Sequence, residues 1–225
     1  MKNISIAIDG PAAAGKSTVA KSVSKILGYT YIDTGAMYRA YTYYVLKKGV
    51  DPKNENKTCE LIPEVTIKLL PNHIVLCNGE DVTTEIRSPE VTLNVSYIAS
   101  YKDIRLALVE QQRQMAKTSS VVMDGRDIGT YVLPNAEVKI YQIASVQTRA
   151  VRRYEENLAK GIKCELNEIE QDIQRRDYID SNRDFAPLKP ATDSVWLDTS
   201  FMTIQEAVDA VLQIIKDKTE KKDVR

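Results

Sequence analysis

The chain has 225 residues, 43% hydrophobic and 28% charged, which is typical of one soluble α/β domain with small insertions. Its 31 basic and 31 acidic residues cancel, which argues against nucleic acid as a partner, and no apolar run approaches the ~20 residues of a membrane helix. The first apolar segment starts at residue 4, so we expect no signal peptide, and the wide spacing of Cys59, Cys77 and Cys164 indicates a reducing cytoplasm without a cysteine metal site.

The first predicted strand, residues 4–9, runs directly into a glycine-framed loop and then a helix. The loop and the start of the helix read Gly10-Pro11-Ala12-Ala13-Ala14-Gly15-Lys16-Ser17-Thr18, which is the G-x-x-x-x-G-K-S pattern of a P-loop. Gly10 and Gly15 allow backbone N–H groups to turn inward around an anion, and the helix N-terminus adds further donors. We therefore expect this loop to bind ATP, with Lys16 reaching the β- and γ-phosphates and the Ser17 hydroxyl facing Mg²⁺. An ordinary strand–turn–helix junction would not need this spacing or the hydroxyl residues after the lysine.

The chain then alternates between helical and strand patterns. Apolar residues recur at helical spacing over 17–27, with Gly28 as the C-cap, and residues 29–32 form the next predicted strand. After Asp-Thr-Gly, a helix is predicted over 36–48 and ends at Gly49. Alternation of this kind predicts a parallel sheet with helices on both faces.

Between about residues 51 and 100 the pattern changes to short strands. The predicted elements are strands at 65–70 and 74–77, a further turn at 78–81, short helices over 88–99, and a longer helix over 104–117 capped by Asp103. His73, the only histidine, is a turn residue in this prediction, and nothing near it supports acid–base chemistry. The segment is best explained as a small antiparallel subdomain inserted between βα units.

Strand patterns of the main sheet resume near residue 120. The remaining predicted elements are strands at 120–124, 137–143 and 194–197, a helix from Ser145 to about Lys160 ended by Gly161, a helix from a capping box at 167–170 to about Asp180, and a last helix opened by a capping box at 203–206. The last helix carries an apolar stripe formed by Ile204, Ala207, Val208, Val211, Leu212 and Ile215. The charged residues 216–225 are expected to fray.

Three predicted strands end in polar or glycine-bearing sequences. These ends are Asp9-Gly10, Asp33-Thr34-Gly35 and Asp124-Gly125-Arg126-Asp127. In parallel sheets ligands bind beyond the carboxyl ends of the strands. We therefore expect the three sequences to meet at one cleft.

Arginine is abundant in the two helices predicted between residues 145 and 183. Two sets of charged residues each share one helix face: Arg149, Arg152 and Arg153, and Arg176, Asp180 and Arg183. Ordinary solvent-exposed helices with i,i+4 ion pairs would also explain both sets. Phosphoryl transfer relies on positioning and on charge stabilisation by Lys, Arg and Mg²⁺, and this composition favours it over acyl transfer. Two such helices joined at Gly161 could close as a lid that excludes water.

Several short stretches occur together in a specific order. They are residues 9–18, Asp33-Thr-Gly-Ala-Met-Tyr-Arg39, Glu85-Ile-Arg87, Asp124-Gly-Arg-Asp-Ile-Gly129, Arg176-Asp177, and Asn182-Arg183 ahead of Ala186-Pro-Leu. Over essentially its whole length the chain resembles the bacterial cytidylate kinases, a family of nucleoside monophosphate kinases. The resemblance implies an α/β P-loop kinase fold with a five-stranded parallel sheet covered by helices on both faces. It also implies a single domain with its core at 1–58, 101–144 and 184–225, an antiparallel monophosphate-binding insert at about 59–100, and a helical lid at about 145–183.

The resemblance further implies transfer of the ATP γ-phosphate to CMP or dCMP with Mg²⁺, in pyrimidine nucleotide metabolism. By motif, Thr34, Arg39, Arg126 and Arg183 would hold the acceptor phosphate, Arg176 and Asp180 its sugar, and Ser96, Arg105 and Asp127 its cytosine. The residues acting on the transferring phosphoryl group would be Lys16, Arg126, Arg149, Arg152, Arg153 and Arg183. Thr34 stands where many relatives have serine, and it keeps the hydroxyl. We expect a cytoplasmic monomer whose partners are these small molecules, with no nucleic acid and no membrane.

Some of these residues have structural explanations as well. Asp127 could be the N-cap of a short helix at Ile128, Asp33 could cap the helix after it, and Arg105 could face solvent. Whether Asp33 or Asp124 contributes to the magnesium site stays open. On the functional side, a carboxylate that accepts from the cytosine amino group, beside an arginine that donates to the ring, favours cytosine over uracil.

Two other functions remain to be separated from this one. The first is a small-molecule kinase of the same fold that acts on AMP, dTMP or shikimate, which the insert and the sequence at 124–127 disfavour. The second is a P-loop protein that hydrolyses or senses nucleotide, which would need a water-positioning residue and mobile switch loops. The sequence offers no clear candidate for either feature.

Overall fold

The computed structural model describes residues 3–159 and 161–220. Within those ranges the strands are β1 (Ser5–Asp9), β2 (Thr30–Asp33), β3 (Ile67–Leu69), β4 (Val75–Cys77), β5 (Glu80–Asp81), β6 (Val121–Gly125), β7 (Val138–Ile143) and β8 (Val195–Asp198). The α-helices there are α1 (Lys16–Leu27), α2 (Thr34–Lys47), α3 (Glu55–Glu60), α4 (Pro89–Ile98), α5 (Lys102–Lys117), α6 (Val146–Ala159), α7 (Leu166–Asn182) and α8 (Ile204–Glu220). In this part of the chain, no helix combines the length and the apolar character that a bilayer crossing requires.

The main sheet is parallel, with strand order β2-β6-β1-β7-β8. Its register sets Asp9 beside Gly125 and Asp33 beside Asp124, so the polar ends of β1, β2 and β6 lie at one edge. The predicted five-stranded parallel sheet and the predicted meeting of these strand ends are confirmed. Because all three ends are followed by loops, one cleft receives side chains from each.

Helices cover both faces of this sheet. Ile6 and Ile8 of β1 point to one face, where they pack in one cluster with Val211 of α8. Ala7 points to the other face and packs in a cluster with Val109 of α5. The alternation follows the two-residue period of a strand, and burial on both faces explains why β1 is apolar throughout.

The insert forms a separate antiparallel sheet of order β3-β4-β5. The two predicted strands are confirmed as β3 and β4, joined by a turn at Pro71–His73 in which Asn72 and His73 have positive φ angles. The prediction of a turn over 78–81 is partly wrong, because Glu80–Asp81 pairs with β4 and only Asn78 and Gly79 turn the chain. Two residues are too short a strand to show alternation in the sequence.

Three predicted helices differ in detail from the structure. The short helices over 88–99 are one helix, α4, capped by the Ser88 Oγ, which accepts from the Val91 N–H at 3.3 Å. Asp103 is not the cap of α5, since helical bonding already starts with the Arg105 N–H donating to the Tyr101 carbonyl. Likewise α7 starts at Leu166, so the predicted capping box at 167–170 lies inside its first turn. In α5 and α7 the helix therefore starts before the residue that the local sequence signal indicated.

Other helix ends agree with the sequence. Gly28 adopts the left-handed conformation expected of a C-cap, and Thr203 and Glu206 form the reciprocal bonds of a capping box.

The predicted end of α6 at Lys160 and the tail 221–225 lie outside the described residues. The tail prediction is wrong for residues 216–220, which continue α8. Ile204, also predicted on the buried stripe of α8, is 63% exposed because the stripe begins one turn later.

Candidate active site

A cavity of about 800 Å³ opens at the edge of the sheet where β1, β2 and β6 end. The predicted site residues on its wall are Ala13, Ala14, Gly15, Lys16, Ser17, Thr18, Thr34, Arg39, Ser96, Arg105, Arg126, Asp127, Arg152, Arg153, Arg176, Asp180 and Arg183. Gly10, Pro11, Ala12 and Arg149 are the predicted site residues that do not line it. One cavity therefore joins the P-loop, the insert and the helices of the predicted lid region.

The P-loop is held tightly against β7. Gly10 has a φ of +152°, and a Cβ at this position would lie 1.9 Å from the Gln142 carbonyl oxygen, so only glycine fits. The Gln142 side chain donates from Nε2 to the Ala14 carbonyl at 2.7 Å and fixes the other end of the loop. Gly15, also with a positive φ, then turns the chain into α1. Gln142 was missed in the sequence because it lies inside an apolar strand more than 120 residues away.

Lys16 is buried and lines the cavity. Its Nζ donates to the Pro11 carbonyl at 2.7 Å, within the same loop. Burial, with the charge of Arg126, lowers the pKa of this amine to about 7. An anion beside Nζ would favour the charged form, so the site is prepared for a phosphate.

Two carboxylates, those of Asp124 and Asp33, lie near Ser17. The Ser17 hydroxyl donates to Asp124 Oδ2 at 2.8 Å, and the Tyr31 hydroxyl donates to Asp124 Oδ1 at 2.7 Å. Burial and the neighbouring Asp33 raise the pKa of Asp124. Asp33 itself accepts from the Ala36 N–H at 2.8 Å, which confirms the alternative that it caps α2, and it also pairs with Arg87. A cation at this place would offset the crowding of negative charge.

The acceptor side of the cavity contains buried arginines. Arg39 donates to the neutral Ile86 carbonyl and Thr92 hydroxyl, and no carboxylate among the described residues pairs with it. Burial lowers its pKa well below the usual range, and Arg176 adds to this effect. Arg176 shows the same behaviour, with a pKa lowered to about 10 by burial and by Arg126. Buried guanidinium groups whose pKa is lowered by neighbouring positive charge make this part of the cavity a candidate anion site.

Arg126 and Asp180 connect the β6 loop to α7. Arg126 Nε donates to Asp180 Oδ2 at 2.8 Å. Burial opposes ionisation of Asp180, but the charges of Arg126, Arg183 and Arg176 together lower its pKa. The alternative that the α7 residues form a solvent-exposed face is therefore wrong, because Arg176, Asp180 and Arg183 are all buried.

A cluster of buried polar side chains surrounds Asp127. Its two oxygens accept from Arg105 Nη2 and from Arg183 Nη2, and Ser96 is buried on the same cavity wall. Arg105 is fully buried, so the solvent-facing alternative is wrong. The N-cap alternative for Asp127 is wrong as well, since its side chain makes no cap bond to the π-helical turn at Ile128–Val132. Arg183 also donates to the Ala186 carbonyl, which orients it toward this group.

Tyr38 is a further cavity residue that the sequence prediction missed. Its ring lies 5.2 Å from the Arg105 guanidinium carbon, and its buried hydroxyl has no hydrogen-bond partner within the described part of the chain. Burial raises its pKa to about 12, so the hydroxyl stays protonated and can donate to a ligand. Its place on α2 among other tyrosines gave no signal to distinguish it.

The three arginines of α6 have different surroundings. Arg149 is buried and donates to Asp177 Oδ2 at 2.6 Å and to the Ala12 carbonyl at 2.9 Å, while Asp177 Oδ1 accepts from the Ala12 N–H. Arg152 donates to the Thr199 and Met202 carbonyls, after β8. Arg153 lies on the cavity wall. Thus Arg149 and Asp177 tie both helices of the predicted lid to the P-loop, and Arg152 and Arg153 face the cavity.

Comparisons with known proteins find one family along nearly the whole chain. A sequence model of the family described as cytidylate kinase matches residues 6–217. A protein named cytidylate kinase from Anoxybacillus flavithermus is 51% identical over 222 residues, covering 97% of this chain and 99% of the relative. One of the same name from a Geobacillus species (strain WCH70) is 52% identical over 219 residues, covering 96% and 98%.

A solved structure, a gluconokinase from Sinorhizobium meliloti 1021, resembles the fold with a TM-score of 0.55 at 13% identity, covering 98% of this chain and 96% of that one. At this identity the similarity concerns the fold alone.

Proposed function

The chain belongs to the cytidylate kinase family, and we propose that it transfers the γ-phosphate of ATP to CMP or dCMP, giving ADP and CDP or dCDP. The observation that carries this proposal is one cavity lined by a P-loop, by the buried Arg39 with no carboxylate partner among the described residues, and by an Arg105–Asp127 pair. A donor triphosphate, an acceptor phosphate and a polar base each have a matching set of side chains there.

On the donor side, residues 10–18 surround the triphosphate of ATP with backbone N–H groups. Lys16 leaves the Pro11 carbonyl and bridges the β- and γ-phosphates, whose charge restores its usual pKa. Arg152 and Arg153 approach the phosphates from α6. Arg149 acts with them by fixing α6 and α7 against the P-loop through Ala12 and Asp177.

A magnesium ion fits the residues beside the phosphates. Mg²⁺ prefers oxygen ligands and usually combines one or two carboxylates with substrate phosphates and waters. Ser17 Oγ and Asp124 Oδ2 would hold it, since these two oxygens lie 2.8 Å apart at the start of α1, and Asp33 is the sheet neighbour of Asp124. When bound, the ion would neutralise the charge on the transferring phosphoryl group.

On the acceptor side, the monophosphate lies against Thr34, Arg39, Arg126 and Arg183. The buried Arg39 supplies a positive charge that no protein carboxylate cancels in the described ranges. Arg126 lines the same cavity as Lys16 and its charge lowers the pKa of that amine, so it can stabilise charge on the group in transfer. The protein's part in the reaction is then to align two phosphates and balance their charge, because phosphoryl transfer needs little covalent chemistry from the protein.

The nucleoside of the acceptor is read by the residues around Asp127 and Asp180. Arg176 and Asp180 contact the sugar, while Ser96, Arg105 and Asp127 contact the cytosine. The Asp127 carboxylate accepts from the cytosine amino group and Arg105 donates to the ring nitrogen and carbonyl side. Uracil reverses donor and acceptor at these positions and would leave buried polar groups unpaired, a mismatch that discriminates strongly.

Residues 145–183 act as a lid that closes over the donor and reduces ATP hydrolysis by water. The protein works as a cytoplasmic monomer in pyrimidine nucleotide metabolism, with ATP, CMP and dCMP as its partners and with neither nucleic acid nor membrane.

An acceptor screen tests the proposed function. Purified protein with ATP and Mg²⁺ is offered CMP, dCMP, UMP, AMP and dTMP in separate assays of ADP formation, with a blank that lacks acceptor. We expect the highest kcat/KM with CMP or dCMP and slow ADP formation in the blank. Equal or better use of UMP, AMP or dTMP would reject the cytidine assignment, and rapid ATP hydrolysis in the blank would favour a nucleotide-hydrolysing P-loop protein.

A further inference from the structure

Asp9, the last residue of β1, makes two contacts that no part of the proposed mechanism uses. Its Oδ1 accepts from the Ile128 N–H at 2.8 Å and its Oδ2 accepts from the Gly129 N–H at 2.7 Å. The side chain is buried, with 5% of the residue exposed. Both donors belong to the turn that directly follows Asp127.

These two bonds replace a local cap. Asp127 stands at the N-cap position of the turn at Ile128–Val132, where an aspartate side chain would ordinarily accept from the first N–H groups. Here Asp9 accepts from them across the sheet, from 119 and 120 residues away in the sequence. The Asp127 carboxylate is thereby left free to accept from Arg105 and Arg183 in the cavity.

The surroundings of Asp9 leave little room for another arrangement. A Cβ on Gly129 would lie 3.4 Å from Asp9 Oδ2 and 3.1 Å from the Lys139 Cδ. Burial raises the pKa of Asp9 to about 7, and the two N–H groups and Lys16 act against this rise. Burying a carboxylate costs free energy that burying an apolar side chain does not. If this strand end served only to hold the fold together, an apolar residue would therefore suit it better.

We propose that Asp9 is a positioning residue for acceptor selection: by holding the backbone at 128–129 it fixes the Asp127 carboxylate where it reads the base. The inference rests on the proposed use of CMP. Asp9 also immediately precedes Gly10, so the same residue joins the start of the P-loop to the base-reading loop. Its influence on the base is larger than its influence on ATP, because its bonds go to the Asp127 side.

The test substitutes Asp9→Asn and measures kcat and KM for CMP, UMP and ATP. The amide keeps the shape and one acceptor, but its NH₂ group faces a backbone N–H and that bond is lost. We expect kcat/KM for CMP to fall by about 10-fold or more and the CMP/UMP ratio to fall with it, while KM for ATP changes less than about twofold. Asp51→Asn is the matched control, since Asp51 also accepts from a backbone N–H, that of Lys53, in an exposed loop; this variant is expected to keep wild-type values.

An unchanged CMP/UMP ratio in the Asp9→Asn variant would overturn the inference, and so would an equal loss for CMP and UMP. Asp9→Ser, which keeps one acceptor without the charge, is made in parallel and should lower the ratio in the same direction. Failure of both variants to fold, judged by circular dichroism against wild type, would assign Asp9 a general structural role and would also overturn it. Wild-type protein that does not use CMP would instead reject the proposed function, so the two failures are distinguishable.

Discussion

Arg105 and Asp127 form an ion pair with a distance of 2.5 Å between Nη2 and Oδ2, and their side chains are only 1% and 5% exposed. Burying such a pair is costly, and apolar residues of similar volume often give equal stability. The pair lies on the wall of the cavity, and Arg183 contributes a second positive charge to the same carboxylate. These facts favour a role in recognition, in which the base of the acceptor takes over hydrogen bonds that Arg105 and Asp127 make to each other in the free protein.

Asp127→Asn should weaken selection of cytosine. The amide can donate where the carboxylate only accepts, so the variant should use CMP less well relative to UMP. We expect the ratio of kcat/KM for CMP to that for UMP to fall by about 10-fold or more. Asp51→Asn is the control, because the Asp51 side chain accepts from the Lys53 N–H in an exposed loop. A ratio that stays at the wild-type value would remove Asp127 from base reading.

Arg176 and Arg175 are adjacent on α7 and provide a matched pair. Arg176 is buried on the cavity wall, whereas Arg175 lies outside it and donates to Asp172 and to the Leu93 carbonyl. Arg176→Ala should lower kcat/KM for CMP by more than about 10-fold, the scale of one charge-assisted contact. Arg175→Ala should change it less than about twofold. Similar effects from both variants would mean that α7 is required only for folding.

Because Arg149 contacts Asp177, we expect its removal to destabilise the protein, whereas removal of Arg153 should not. Removing Arg149 leaves Asp177 without its cation in a largely buried place, so Arg149→Ala should lower the free energy of unfolding by about 3 kcal/mol. In urea denaturation, Asp177→Asn should lose a similar amount, and the double variant should lose less than the sum. Arg153→Ala should lower kcat with little effect on unfolding. Additive losses for Arg149 and Asp177 would contradict this link between the lid region and the P-loop.

Lys16 should take up a proton when ATP binds. Its pKa is lowered to about 7 by burial and by Arg126, so near pH 8 a large fraction of the free protein holds the neutral amine. Phosphate charge raises the pKa again, and binding should therefore remove protons from the buffer. Calorimetry in buffers of different ionisation enthalpy measures this uptake. Lys16→Met serves as the reference and should lack both the uptake and turnover; an equal uptake in that variant would assign the proton to another group.

The sequence predicted the features that depend on local patterns. Strand–loop–helix order around residues 4–18, the left-handed Gly28 and the Thr203–Glu206 capping box follow from neighbouring residues, and the structure confirms all three. The resemblance to the cytidylate kinases was also visible in short motifs and is confirmed by the family comparison. Proximity of Asp9, Asp33 and Asp124 followed from one rule about parallel sheets.

Features that depend on distant contacts were not predictable in this way. The capping of the turn at Ile128 by Asp9, and the contact of Arg149 with Ala12, join residues more than 115 positions apart. Helical periodicity placed Arg149 and Arg153 on one face but could not show that one faces the P-loop and the other the cavity. Burial likewise separates Arg105 from an ordinary surface arginine, and no local pattern carries that information.

A crystal structure with CMP bound tests the central claim most directly, because it shows which side chains contact the acceptor. We predict that an Asp127 carboxylate oxygen lies within hydrogen-bond distance of the cytosine amino group and that Arg105 donates to the cytosine ring. We also predict that the monophosphate lies against Arg39 and Arg126, on the side that faces Lys16. A cytosine bound away from Asp127, or a monophosphate that does not contact these arginines, would contradict this claim.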